Sequence, residues 1–223
     1  MKTYASIPKW KEEFFGKHVF GFDKIDGSNF RAEWDRKLSK KSMFTKGFSK
    51  FGTRREAIHK NNPFFEGVKI FDEKFSDELD EKFRTHKAFR GVDRITVYGE
   101  FFGNNSFAGI HDWNVMHDIY LYDVFLYKKG FLPPADFLKI IPYEEFDICK
   151  CFYKGEFTPE VLKHVEDGTL CQWQYGPQST QDLEEGMVFK GVEEGKVFMF
   201  KVKTKEWLRK VKEKYGEAKM LEY

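Results

Sequence analysis

The stretch FDKIDGSNFRAEW, residues 22–34, sets a lysine between two aspartates, then a glycine turn, then an alternating strand. The apolar run HVFGF, residues 18–22, leads into it. A lysine at the end of an apolar strand can be desolvated, and desolvation with nearby cations favours the neutral amine, a nucleophile. Lys24 also has a plainer reading, as a snorkelling strand lysine paired with Asp23 or Asp26. The K-x-D-G pattern alone does not separate the two. Three fixed residues arise by chance in on the order of one chain in twenty of this length.

The rest of the chain supplies the context. Its 223 residues are enough for a sizeable core, and charged residues make up 33% with aromatics at 18%, 26 of them Phe. That composition excludes a disordered chain. A net charge of +2 leaves the partner class to charge distribution rather than total charge. The three cysteines, Cys149, Cys151 and Cys171, are an odd and sparse set that suits a reducing compartment. The start, MKTYASIPKWKEE, has no apolar leader core, and no stretch approaches the ~20 apolar residues of a membrane span. A cytoplasmic chain with no membrane association is the expectation.

Along the chain, IPKWKEEFF reads as a short helix opening at Pro8. HVFGFDK and SNFRAEW read as strands joined through Asp26-Gly27. Residues 36–55 hold eight basic residues and no acidic one, with Phe44, Phe48 and Phe51 interleaved. FDEKFSDELDEKF, residues 71–83, places Phe71, Phe75, Leu79 and Phe83 on one helical face. RITVYGEFFG is a strand, and HDIYLYDVFLYKKG is a near-continuous apolar strand expected to be covered on both sides. TPEVLKHVEDG carries a capping Thr, a first-turn Pro and a terminal Gly. EGMVFKGV and GKVFMFKVK form a strand pair turning at residues 193–195. The tail from Lys205 reads as a basic helix with Trp207, Leu208, Val211 and Tyr215 on one side. The whole predicts an α+β fold dominated by antiparallel strands.

Several residues could carry chemistry. In FKVKTK, Lys201 and Lys203 share one strand face while Phe200 and Val202 take the other, so the two ammonium groups suit a phosphate; a solvated face is the commoner reading of K-x-K. Glu185 opens a strand that Lys190 closes, and a carboxylate beside a phosphate site can hold Mg²⁺ directly or through water. Glu100 stands alone among apolar residues and needs a partner, a ribose hydroxyl or an internal cation. In HDWNVMHD, His111, Asp112, His117 and Asp118 match no common metal-ligand spacing. Cys149 and Cys151 read as strand residues rather than ligands.

The order of these elements resembles the covalent nucleotidyltransferase superfamily of ATP-dependent polynucleotide ligases and capping enzymes. The resemblance runs over about residues 18–205: Lys24-x-Asp26-Gly27, an arginine pair, a strand Glu, an aromatic-Asp strand, Glu185-Gly-x-Val-x-Lys190, then Lys201-x-Lys203. It is nearest to the RNA ligase 2 type, because Asn29 stands where DNA ligases and capping enzymes usually carry Arg. The resemblance implies an adenylation domain of antiparallel sheets flanked by helices, an ATP-grasp-like ligase core, over residues 1–204. It implies ATP and Mg²⁺ or Mn²⁺ as cofactors. Lys24 would form a lysyl-AMP phosphoramidate, with Asp26 and Gly27 in its motif, and Asn29 would contact phosphates. Arg54 or Arg55, Arg54 slightly favoured, would bind triphosphate and later the substrate 5′-phosphate. Glu100 would accept from ribose hydroxyls, Tyr122 would stack on adenine, and Glu185 would hold metal. Lys190, Lys201 and Lys203 would serve the nucleotide, the last two at the α-phosphate.

The implied reaction joins 3′-hydroxyl and 5′-phosphate ends, a duplex nick in RNA repair, in a phage-like setting and as a monomer. Lys40, Lys41, Lys46, Lys50 and Arg55 would track the nucleic-acid backbone. Two departures from the pattern stand out. Tyr122 replaces the usual Phe, and residues 205–223 leave no room for the OB-fold or helical domain that relatives append, a part that a partner protein could supply. A minimal DNA ligase, an RNA-capping guanylyltransferase and a silent nucleic-acid-binding module are the competing readings.

Overall fold

The strands on either side of the Lys24 turn join different sheets. In the computed structural model, which describes residues 1–38, 47–103, 116–179 and 183–216, β1 is His18–Asp23 and β2 is Ser28–Asp35. β1 lies in a four-stranded antiparallel sheet with β7 (Cys151–Glu156), β8 (Gly186–Glu193) and β9 (Lys196–Lys203), in the order β7-β1-β8-β9. β2 lies in a five-stranded antiparallel sheet with β3 (Phe48–Gly52), β4 (Arg94–Phe102), β5 (Asp118–Leu126) and β6 (Gly130–Phe131), in the order β3-β2-β4-β5-β6. The helices are α1 (Phe65–Thr85), α2 (Pro134–Ile140), α3 (Pro159–Glu166), α4 (Leu170–Tyr175) and α5 (Lys205–Tyr215).

The chain forms two compact units. One takes Met1–Ala5 with the described residues from Gly27 to Ile148; the other takes Ser6–Asp26 with the described residues from Cys149 onward. The chain passes between them inside the K-I-D-G stretch, after Asp26.

In the β2 unit the core is aromatic. Phe71, Phe75, Leu79 and Phe83, spaced four residues apart on α1, are all buried, as one face of a helix predicts. Phe71 packs 5.6 Å from Phe30 and 5.0 Å from Phe48, and Phe83 packs 5.5 Å from Trp34. Each such ring contributes about 1.5–3 kcal/mol by burial. The polar end of Trp34 is satisfied by Asp80, which Arg84 neutralises at 2.6 Å. On β5, Ile119, Leu121, Val124 and Leu126 are buried while Tyr120, Tyr122 and Phe125 are half-buried, so only one face is fully covered. A bulge between Tyr98 and Gly99 gives β5 one extra residue, Tyr122, against β4.

In the β1 unit, Val19, Met187, Phe189, Phe200 and Val202 form a core with α3 and α4. α3 is punctuated as its sequence predicts: Thr158 accepts from Val161 N at 3.2 Å, Pro159 opens the helix, and Gly168 follows its end at φ 72°. β8 and β9 turn through Glu194 and Gly195, both left-handed at 49° and 75°.

Besides the one-sided covering of β5, three local expectations change. The Pro8 helix is instead an extended segment, with Pro8 O accepting from Lys201 N and Trp10 N donating to Lys201 O, followed by a 3₁₀ turn at Glu12–Phe14. Sheet hydrogen bonds outweigh a helix too short to nucleate alone. Tyr215 is exposed, since only Trp207 and Val211 of α5 reach the core. Cys149 precedes β7 rather than lying in it.

Candidate active site

The β1 unit brings Lys24, Glu185 and Lys203 together. Lys24 follows β1, and its N–H donates to Gly186 O at 3.0 Å. Glu185 sits just before β8, its carbonyl taking Thr204 N at 3.0 Å, and Gly186 pairs with Lys203 across the β8–β9 ladder. Glu185 is thereby fixed, 3% exposed, between the two lysines. Lys24 Nζ donates to Glu185 Oε2 at 2.7 Å, and Lys203 Nζ donates to Glu185 Oε1. Glu185 is thus a partner of Lys24 that the plainer sequence reading does not name. A buried carboxylate needs such pairing to be tolerated.

Lys203 gains further support from Trp207, whose ring lies 3.7 Å from Nζ. Thr204 caps α5 by accepting from Trp207 N at 3.1 Å while its hydroxyl donates to Glu184 O. The sequence marks neither Thr204 nor Trp207 as a site residue, although a Thr just after a strand and before a helix is a capping signal. Lys201 alternates with Phe200 and Val202, its backbone clamped by Pro8 and Trp10. Lys190, 2% exposed on β8, places Nζ 4.6 Å from the Phe22 ring. Asp26 is also buried. Beside Lys24, burial and then Glu184 push the Asp23 carboxyl up to about 6, against the pull of Lys150 and Lys24.

The β2 unit gathers Asn29, Glu100, Tyr122 and Arg54. Asn29 pairs with Glu100 across the β2–β4 ladder, and Gly27 approaches β4 so closely that a Cβ there would meet Phe101 O at 2.5 Å. The bulge turns Tyr122 to Asn29, whose Nδ2 donates to the Tyr122 hydroxyl. Burial, then Glu100 and Asp123, hold the Tyr122 phenol well above its usual pKa, with the Arg54 cation opposing. That places the charge of Arg54, rather than Arg55, among the influences on Tyr122. Tyr4, unmarked in the sequence, packs edge-on to Tyr122 at 5.2 Å and donates to Asp123 at 2.5 Å.

Other expected residues fall elsewhere. Lys50 pairs with Glu33 at 2.9 Å, and Arg55 is exposed. Lys40, Lys41, Lys46, His111 and Asp112 lie outside the described residues. His117 bonds Glu66 and Asp118 bonds Lys74, so both serve structure. Among the described residues no group of three or more His, Cys, Asp or Glu could hold a metal, and the cysteines are free. No described helix is long and apolar enough to cross a membrane.

With this geometry in place, the comparisons decide the family. The family model described as RNA ligase matches residues 17–203. The chain belongs to the RNA ligase family. The matched span contains both clusters, from Lys24 through Lys203.

Among solved structures, this family member resembles a Naegleria gruberi RNA ligase with PPi at 18% identity and TM-score 0.61, covering 91% of this chain and 54% of that one. A mutant of the Naegleria enzyme with ATP and Mn matches at 17% and 0.59, covering 89% and 53%, and another with AMP and Mn at 18% and 0.58, covering 89% and 53%. At such identities the likeness establishes the fold, an α+β arrangement of antiparallel sheets with flanking helices. The chain spans about half the length of these structures. No curated protein matched it.

Proposed function

We propose that this chain is an ATP-dependent RNA ligase that seals 3′-hydroxyl and 5′-phosphate ends through a lysyl-AMP intermediate on Lys24. The observation that carries this reading is the Lys24–Glu185–Lys203 cluster, built from the ends of β1, β8 and β9 inside the RNA ligase match. ATP and Mg²⁺ or Mn²⁺ are the cofactors in this reading.

Three displacements make up the reaction. Lys24 Nζ releases a proton to solvent and attacks the α-phosphorus of ATP; the P–N bond forms as the bond to pyrophosphate breaks. A 5′-phosphate oxygen then attacks the same phosphorus, the P–N bond breaks, and the amine regains a proton. Finally a 3′-hydroxyl loses its proton and attacks the adenylated phosphate, expelling AMP.

The protein supplies position and charge, which is what phosphoryl transfer asks of it. Glu185 holds Lys24 at the end of β1, in a fixed place from which it can attack. Lys203, braced by Trp207, and Lys201 neutralise the α-phosphate, and Lys190 adds a cation. A divalent cation, with Glu185 as its protein oxygen, would supply further neutralisation of phosphate charge. Glu100 accepts from ribose hydroxyls, and Tyr122 meets the adenine. Arg54 binds triphosphate and then the substrate 5′-phosphate, with Arg55 and Lys50 along the strand backbone. Residues 1–204 form the adenylation module in this reading, and α5 opens the basic segment after it.

The test is sealing of a nicked RNA duplex beside its DNA and hybrid counterparts, each with a 5′-phosphate or a pre-adenylated end. Wild type should seal both RNA nicks, and Lys24→Ala only the pre-adenylated one. Sealing of none by a folded sample overturns the reading.

A further inference from the structure

We infer that the Tyr122 hydroxyl positions Asn29 so that its Oδ1 accepts a hydrogen bond from a donor on the nucleoside. The inference rests on the ligase reading above and deepens it, giving Asn29 a partner other than the phosphates that its motif position implied.

Strand alternation would put Tyr122 and Asp123 on opposite faces of β5. The bulge opposite Tyr98–Gly99 removes that alternation, and Tyr122 reaches Asn29 on β2. The phenol oxygen is held in place by its surroundings. Its ring lies 5.2 Å from Tyr4 and 6.4 Å from Tyr98. Those rings are tied in turn, Tyr4 by its hydrogen bond to Asp123 and Tyr98 by donation to Lys2 O at 2.9 Å. A phenylalanine would keep the packing and lose only the oxygen.

Asn29 is 8% exposed, with Nδ2 committed to Tyr122 and Oδ1 buried without a hydrogen-bond partner among the described residues. Buried amide oxygens are seldom left so, because a lone acceptor forfeits its water without replacement. The missing partner must bring a hydrogen. A nucleoside offers ribose hydroxyls and an exocyclic amine; a phosphate at neutral pH is an acceptor and offers none. Asn29 also pairs across the ladder with Glu100, itself a second acceptor.

The experiment measures equilibrium binding of adenosine and of inorganic tripolyphosphate to wild type, Tyr122→Phe, Asn29→Ala and the double variant, with melting curves for each. Both single variants should bind adenosine about tenfold more weakly, the scale of one buried hydrogen bond, and tripolyphosphate as wild type does. The double variant should be no weaker than Asn29→Ala alone. Unchanged adenosine binding by Tyr122→Phe, equal losses on both probes, or additive losses in the double variant would each overturn the inference. A wild type that binds neither probe overturns the nucleotide-site reading as a whole.

Discussion

Lys24 and Lys203 share a single carboxylate, each ammonium taking a different oxygen of the buried Glu185. They lie far apart in sequence, yet the β1–β8 and β8–β9 ladders bring their strand ends to one point. The shared carboxylate fixes both ammonium groups; in the proposed reaction it would hold the nucleophile beside a cation for the phosphate.

Removing the charge should therefore affect stability as well as activity. Glu185→Gln removes the carboxylate charge that both ammonium groups contact, one of them buried. Breaking a buried pair costs about 3–5 kcal/mol, and the part-exposed Lys24 brings the expected loss to the lower end. Urea unfolding should show it, and an unchanged midpoint would mean the network carries no stability.

Asp23 gives a pH signature. Its carboxyl is raised from 3.8 to about 6, chiefly by burial and then by Glu184. The folded state therefore prefers the protonated form. Its stabilising contribution is full below the unfolded pKa and is lost as pH rises through about 6. Asp23→Asn should then gain up to about 3 kcal/mol at pH 7.5 and nothing near pH 3.5. Denaturant titrations at the two pH values compare them; equal effects would contradict the assignment.

Much of this was legible beforehand and some was not. The i, i+4 apolar stripe of α1, the Thr158–Pro159 cap and the alternation of Phe200 to Lys203 are local patterns, and the structure follows them. Glu185, which Lys24 contacts, lies 161 residues away, so no local rule could name it. The bulge that turns Tyr122 to Asn29 adds one residue without a Gly or Pro to announce it. Tyr4 and the extended Pro8 segment depend on distant strands, which override weak local propensity.

Two motif glycines should be intolerant of a methyl group. At Gly186, φ is 141° and a Cβ would sit 2.1 Å from Val202 O; at Gly27 it would meet Phe101 O at 2.5 Å. Both obstacles are backbone and cannot swing aside. Gly186→Ala should unfold the β8–β9 pair, seen as lost amide protection there. Gly27→Ala should lower stability by roughly 1–3 kcal/mol, the usual scale for overpacking. By contrast Gly91→Ala meets no neighbour but must accept φ 74°, so its cost is backbone strain alone, about 1–2 kcal/mol.

Cys151 should be a slow nucleophile. Burial pushes its thiol up to about 11, with Lys190 and Lys154 only partly opposing. Iodoacetamide at pH 8 should modify it far more slowly than the same cysteine in the unfolded chain, the rate rising about tenfold per pH unit up to pH ~10 because the thiolate is the reactive form. Rapid labelling at pH 7 would show the thiol to be activated instead.

The most direct measurement of the central claim is the intact mass of the protein after incubation with a divalent cation and either ATP or GTP. The account predicts a gain of one AMP with ATP, no gain with GTP, and no gain for Lys24→Ala with either. A folded wild type that gains nothing from ATP, or a Lys24→Ala variant that still carries AMP, would contradict it.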